Sequence, residues 1–84
     1  MTNSNQPPVL TLKDGLVGVK IWLNANENGN YYKAQPFRLY ELEQGNWQES
    51  DSFSRSELLK LNRLLGRAYD HISEFLERDK QDLK

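Results

Sequence analysis

The run from Phe53 to Arg78 constrains the fold more than any other stretch, because it opens with a helix start signal and continues as one amphipathic helix. Ser54 suits the N-cap, since its hydroxyl oxygen accepts from the orphan N–H groups of a first turn. Glu57, three residues on, is placed to reach back to the Ser54 N–H, completing a capping box. Phe53 and Leu58 are spaced as a hydrophobic staple across that start. Apolar residues then fall at Leu58, Leu61, Leu65, Ala68, Ile72 and Phe75, in steps of three and four. Leu64, Tyr69 and Leu76 widen this seam into a stripe, and Lys60, Arg63, Arg67, Asp70, Glu74 and Glu77 take the other side. The structural reading of such a stripe is a core-facing helix.

A helix of roughly 24 residues spans about 36 Å. That is more apolar length than a small sheet covers, so the excess implies a second copy of the chain. The expected dimer seam is Leu61, Leu65, Ala68, Ile72 and Phe75. Gly66 lies mid-helix, where glycine costs about 1 kcal/mol relative to alanine; a close approach by a helix or sheet would account for it, and so would a glycine that is simply tolerated there.

The residues ahead of the helix alternate as strands. Val9 to Leu12 forms a short first strand, with Lys13-Asp14-Gly15 as the turn after it. Leu16 to Asn24 is the strongest strand, with Val17, Val19, Ile21 and Leu23 on one face and Gly18, Lys20, Trp22 and Asn24 on the other. Asn28-Gly29 marks the next turn. Tyr31 to Leu42 is a third strand, which Pro36 restricts to an edge or a bulge. Gln44-Gly45-Asn46 turns the chain into a fourth strand, Trp47 to Phe53. Short connections make the sheet an antiparallel meander. The expected class is therefore α+β, a four-stranded antiparallel sheet followed by one long C-terminal helix. Residues 9–78 form a single ββββα domain, between a disordered tail at 1–8 and a frayed tail at 79–84.

With 84 residues there is one domain and a modest core, a size that often gains stability by oligomerising. Cysteine is absent, so disulfides and thiolate chemistry are excluded. The first residues lack a signal-peptide pattern, and no apolar run reaches the length of a membrane span, so a cytoplasmic protein is expected. The sole histidine is His71, which leaves no metal cluster by ordinary ligand rules. Ser50, Ser52, Ser54 and Ser56 surround a helix start, where capping explains them better than nucleophilic chemistry. No acid, base and nucleophile set can be named, so neither catalytic residues nor a cofactor are expected.

Charge is unevenly spread. Lys13 to Tyr40 carries a net charge of +2, and Glu41 to Glu57 a net of −4. Within the basic half, Lys20, Trp22, Lys33, Arg38 and Tyr40 mix cations with aromatic rings, and Trp47 opens the following strand. Such interleaving suits single-stranded nucleic acid, in which bases stack on rings at about 1–3 kcal/mol each while cations track the phosphates. The structural alternative is that the aromatics fill the core or a dimer interface. A protein-interaction module with no nucleic-acid activity fits the acidic segment equally well.

Several segments carry a resemblance: Val19-Lys20-Ile21-Trp22-Leu23-Asn24, Arg38-Leu39-Tyr40, Gly45-Asn46-Trp47, and Ser52-Phe53-Ser54-Arg55-Ser56-Glu57-Leu58-Leu59. With the strand order they span about residues 9 to 78. The chain resembles the Whirly and transcriptional positive-cofactor superfamily of single-stranded-DNA binders, and a group of small bacterial proteins. That resemblance implies a helix packed on a curved sheet and mediating dimerisation, and strands that present cations and aromatics to unpaired bases. Carried onto this sequence, the binding residues would be Lys20, Trp22, Lys33, Arg38, Tyr40 and Trp47. The chain departs from the pattern in its mildly acidic balance and in having no dense lysine-rich tail.

Overall fold

The computed structural model describes residues 7–82, with the side chains of residues 81 and 82 left aside. The expected tail at 1–8 thus lies outside the described residues, apart from Pro7 and Pro8. Four strands precede one helix: β1 (Leu10–Asp14), β2 (Val17–Asn26), β3 (Gly29–Glu43), β4 (Asn46–Ser50) and α1 (Arg55–Asp82). The strands lie in the order β1-β2-β3-β4, and every neighbouring pair is antiparallel. The α+β meander read from the sequence is the fold.

Tight hairpins set the register. Asp14 pairs with Val17, so the first turn has two residues, and Gly15 takes φ 64° at the first of them, as the primed two-residue turns require. Asn26 pairs with Gly29, and the Asn28 N–H donates to Asn26 Oδ1 at 2.8 Å, an Asx turn in place of the expected Asn28-Gly29 pair. β3 runs unbroken through Pro36, which pairs with Val19. β4 pairs with β3 only between Arg38 and Glu43, so Pro36 falls on an edge, where a residue without an N–H is tolerated. The irregularity lies instead between Glu41 and Glu43.

Val17, Val19 and Ile21 point to one face of β2 and are buried with Leu12, Leu64 and Ala68. Leu10, Tyr32, Phe53, Leu61, Ile72 and Phe75 pack around that cluster. The molecule measures 50 × 29 × 16 Å, which is one sheet plus one helix in thickness. The helix lies across β2, β3 and β1 and does not touch β4.

The helix start is built by half of the expected capping box. Glu57 Oε1 accepts from the Ser54 N–H at 2.8 Å, while the Ser54 hydroxyl lies 3.5 Å from Ser56 Oγ rather than on the first-turn amides. The helix end runs past the expected boundary, through Asp82. Residues 79–82 are therefore helical rather than frayed, and Asp79 accepts from both Tyr32 and Asn30. The helix is not long and apolar enough to cross a membrane.

Candidate nucleic-acid interface

Among the described residues, nothing layers over the sheet face away from the helix. Its occupants follow from the register. Trp22 sits directly opposite Lys33, Lys20 opposite Gln35, and Gly18 opposite Phe37. Further along, Leu39 is opposite Glu49 and Glu41 opposite Trp47. Lys20, Trp22, Lys33 and Trp47 thus share the open face.

They do not form one cluster. Between Lys33 and Glu41 the β3 backbone advances eight residues, roughly 26 Å at about 3.3 Å each. Trp22 marks one end of the face and Trp47 the other. At the Trp22 end, Lys33 Nζ lies 5.9 Å from the centroid of the Tyr31 ring, so an exposed aromatic joins the half-buried tryptophan. At the Trp47 end the neighbouring charges are Glu41 and Glu49. The face is basic and aromatic at one end, acidic and aromatic at the other.

Between the ends lies Phe37, only 5% exposed although no layer covers it. Gly18 makes this possible. A methyl group at Gly18 would lie 2.6 Å from Phe37 Cε1 and 2.9 Å from the Leu12 carbonyl oxygen, so the ring rests where a side chain would stand. Above the ring, Lys20 Nζ lies 5.0 Å from the centroid and donates to Glu49 Oε2 at 2.6 Å. The ion pair bridges β2 and β4 over β3.

Arg38 and Tyr40 lie on the opposite face, which corrects the expectation that they join the open-face set. The reason is register. Arg38 pairs with Val17, whose side chain enters the core, so Arg38 and Tyr40 two residues on share the helix side. Arg38 Nε donates to the Ser52 carbonyl at 2.9 Å, lies 3.4 Å from Glu57 Oε1, and its guanidinium is 5.5 Å from the Tyr40 ring centroid. These contacts fasten the sheet to the helix start. The backbone N–H of Ser54, foremost, holds the Glu57 carboxyl below its ordinary value, and Arg38 and Lys60 act in the same direction.

The expected dimer seam is also redistributed. Ala68 is 2% exposed, and Leu61, Ile72 and Phe75 pack on the core, so the chain's own sheet occupies them. Leu65 alone of the five is exposed, at 42%. The bare apolar residues are Leu58, Leu59, Leu65, Tyr69 and Leu76, and four of them follow steps of seven, four and seven along one flank. That flank faces β3: Leu65, Ile72 and Asp79 lie in one seven-residue line, and Asp79 bonds Tyr32 of β3. Arg63 and Arg67 on the other flank line a hollow with Lys13 and Asp14 of β1. The apolar flank thus overlooks the stretch of β3, Gly29 to Phe37, that β4 does not reach.

Among the described residues, no three His, Asp or Glu side chains converge as a metal site would need. No protein-family model, no curated protein and no solved structure matches the chain.

Proposed function

We propose that this chain is a cytoplasmic homodimer that binds single-stranded DNA without chemistry of its own, at the Trp22 end of its open sheet face. One observation carries the reading. Trp22 stands on an uncovered sheet, opposite Lys33 and two residues from Lys20, with Tyr31 beside Lys33. Rings supply stacking surface for bases, and ammonium groups supply partners for phosphates. The strand order and the resemblance to the Whirly and positive-cofactor superfamily support the same reading. Arg38 and Tyr40 drop out of the binding set, and Trp47 contributes only to a strand long enough to cross the acidic end.

The homodimer is supported by the apolar flank of α1 and the unpaired edge of β3 below it. From their exposures, Leu58, Leu65, Tyr69 and Leu76 offer an area of roughly 400 Å² per copy, or about 800 Å² for two, so the edge of β3 has to supply the rest of the roughly 1,000 Å² that a specific interface needs.

A labelled oligo-dT tests the binding. Trp22→Ala should weaken it by about 5- to 150-fold, the equivalent of one stacked base. Lys33→Gln should weaken it and reduce its salt dependence. Absence of binding by the unaltered protein at low salt refutes the reading. A second reading, a protein-interaction module, is favoured by Glu49 occupying Lys20, which cancels one of the cations beside Trp22. Under that reading the oligonucleotide does not bind, and a protein partner covers Trp22 and Tyr31.

A further inference from the structure

We infer that the Lys20–Glu49 ion pair is a latch over Phe37, and that a phosphate backbone opens it by taking Lys20 from Glu49. The inference rests on the nucleic-acid reading above and names a regulation of that same site. Phe37 is an aromatic ring on an uncovered face, yet it is 5% exposed. Two neighbours contribute to its burial. Gly18 lets the ring lie down on β2, and the Lys20 side chain crosses β3 above it to reach Glu49. The second contribution is removable. The side chains of Lys20 and Glu49 are 23% and 44% exposed, and an ion pair so well solvated is weakly held.

A phosphodiester has the same charge as the Glu49 carboxylate and arrives with neighbouring charges and bases, so it competes for Lys20 with several contacts at once. When Lys20 turns to phosphate, the upper side of Phe37 is bared. The ring lies between the Trp22 and Trp47 ends of the face, so its exposure joins two separated aromatic sites into one path. Glu49 therefore acts as an internal competitor for the ligand, and Phe37 is a stacking platform hidden until the ligand arrives.

The test is the salt-dependent binding of fluorescein-labelled oligo-dT to the unaltered protein, Glu49→Gln, Lys20→Gln and the double variant, with Phe37→Leu added in the Glu49→Gln background. Neither polar position is buried, and circular dichroism verifies that each variant is folded. Glu49→Gln is expected to bind about two- to fivefold more tightly, the scale of a surface ion pair. Its log–log salt slope should steepen by about 0.7, because Lys20 now releases a counterion of its own. Both gains should vanish when Lys20 is also Gln. Phe37→Leu should then cost at least about fivefold. Equal affinity of Glu49→Gln and the unaltered protein overturns the latch while leaving the binding itself standing. A gain that survives Lys20→Gln also overturns it, since Glu49 then acts only by repulsion. If neither protein binds at low salt, the nucleic-acid reading falls and the latch falls with it.

Discussion

The Tyr32 hydroxyl donates to Asp79 Oδ2 at 2.7 Å, tying the beginning of β3 to the last turns of the helix. Asn30 Nδ2 donates to the same oxygen at 3.2 Å. Tyr32 also places its ring 5.3 Å from that of Phe75. Glu57 makes the corresponding attachment at the other end of the helix, so two carboxylates pin α1 to the sheet from its two ends.

Both carboxylates are held below their ordinary values of 3.8 for Asp79 and 4.5 for Glu57, chiefly by the Tyr32 hydroxyl and the Ser54 N–H respectively. A lowered folded pKa gives stability that is complete above the ordinary value and is lost as pH falls through the folded one. The urea midpoint should therefore stay level on acidification to about pH 5 and decline below it. Asp79→Asn and Glu57→Gln should each lower the midpoint at pH 7 and flatten the acid decline. An acid limb unchanged in both variants would place its origin elsewhere.

Gly18→Ala should destabilise the fold by about 1–3 kcal/mol, because the added methyl meets the Phe37 ring and the Leu12 backbone at once. Chemical denaturation measures it. Phe37→Leu should recover part of the loss in the double variant, since only one of the two obstructions is a side chain.

Gly66→Ala should do the opposite. Nothing lies within 4 Å of a methyl group built there, so packing within this chain does not require glycine. Stability should rise by about 1 kcal/mol, the helix-propensity difference. A loss of self-association in the same variant would mean that the second copy approaches closely at that position.

Tyr69→Glu should halve the mass measured by light scattering while leaving the circular dichroism spectrum intact. Tyr69 is 73% exposed, so the protomer's own core does not depend on it. Ala68→Glu, one residue away, should unfold the chain instead, because Ala68 is buried against the sheet.

The meander and the helix were legible because each rests on local chemistry: two-fold alternation in β2, glycine at the turns, and Glu57 three residues after Ser54. Which side chains share a face was legible only for β2, where Val17, Val19 and Ile21 leave no choice. On β3 the apolar and polar residues do not alternate cleanly, and Pro36 left open an edge or a bulge, of which the structure takes the edge. The hairpin settles it. Once Asn26 pairs with Gly29, Lys33 must stand opposite Trp22 and Arg38 opposite Val17. The helix stripe misled for a related reason. Apolar residues at Leu58, Leu61, Leu65, Ala68, Ile72 and Phe75 make one continuous seam, but the sheet reaches only part of its width. Leu61, Ala68 and Phe75 are spent inside the protomer, and Leu58 and Leu65 are left outside.

Among the described residues β4 pairs with β3 alone, with no helix above it and no strand beyond it, and the Lys20–Glu49 ion pair is its one tie to β2. Its backbone amides should consequently exchange with deuterium well before those of β2, through local opening that leaves the core unbroken. Glu49 rides on this strand. Each fraying of β4 would carry the carboxylate away from Lys20, so the opening of a five-residue strand adds a second route, beside exchange of the ion pair itself, by which Lys20 is freed in the absence of any ligand.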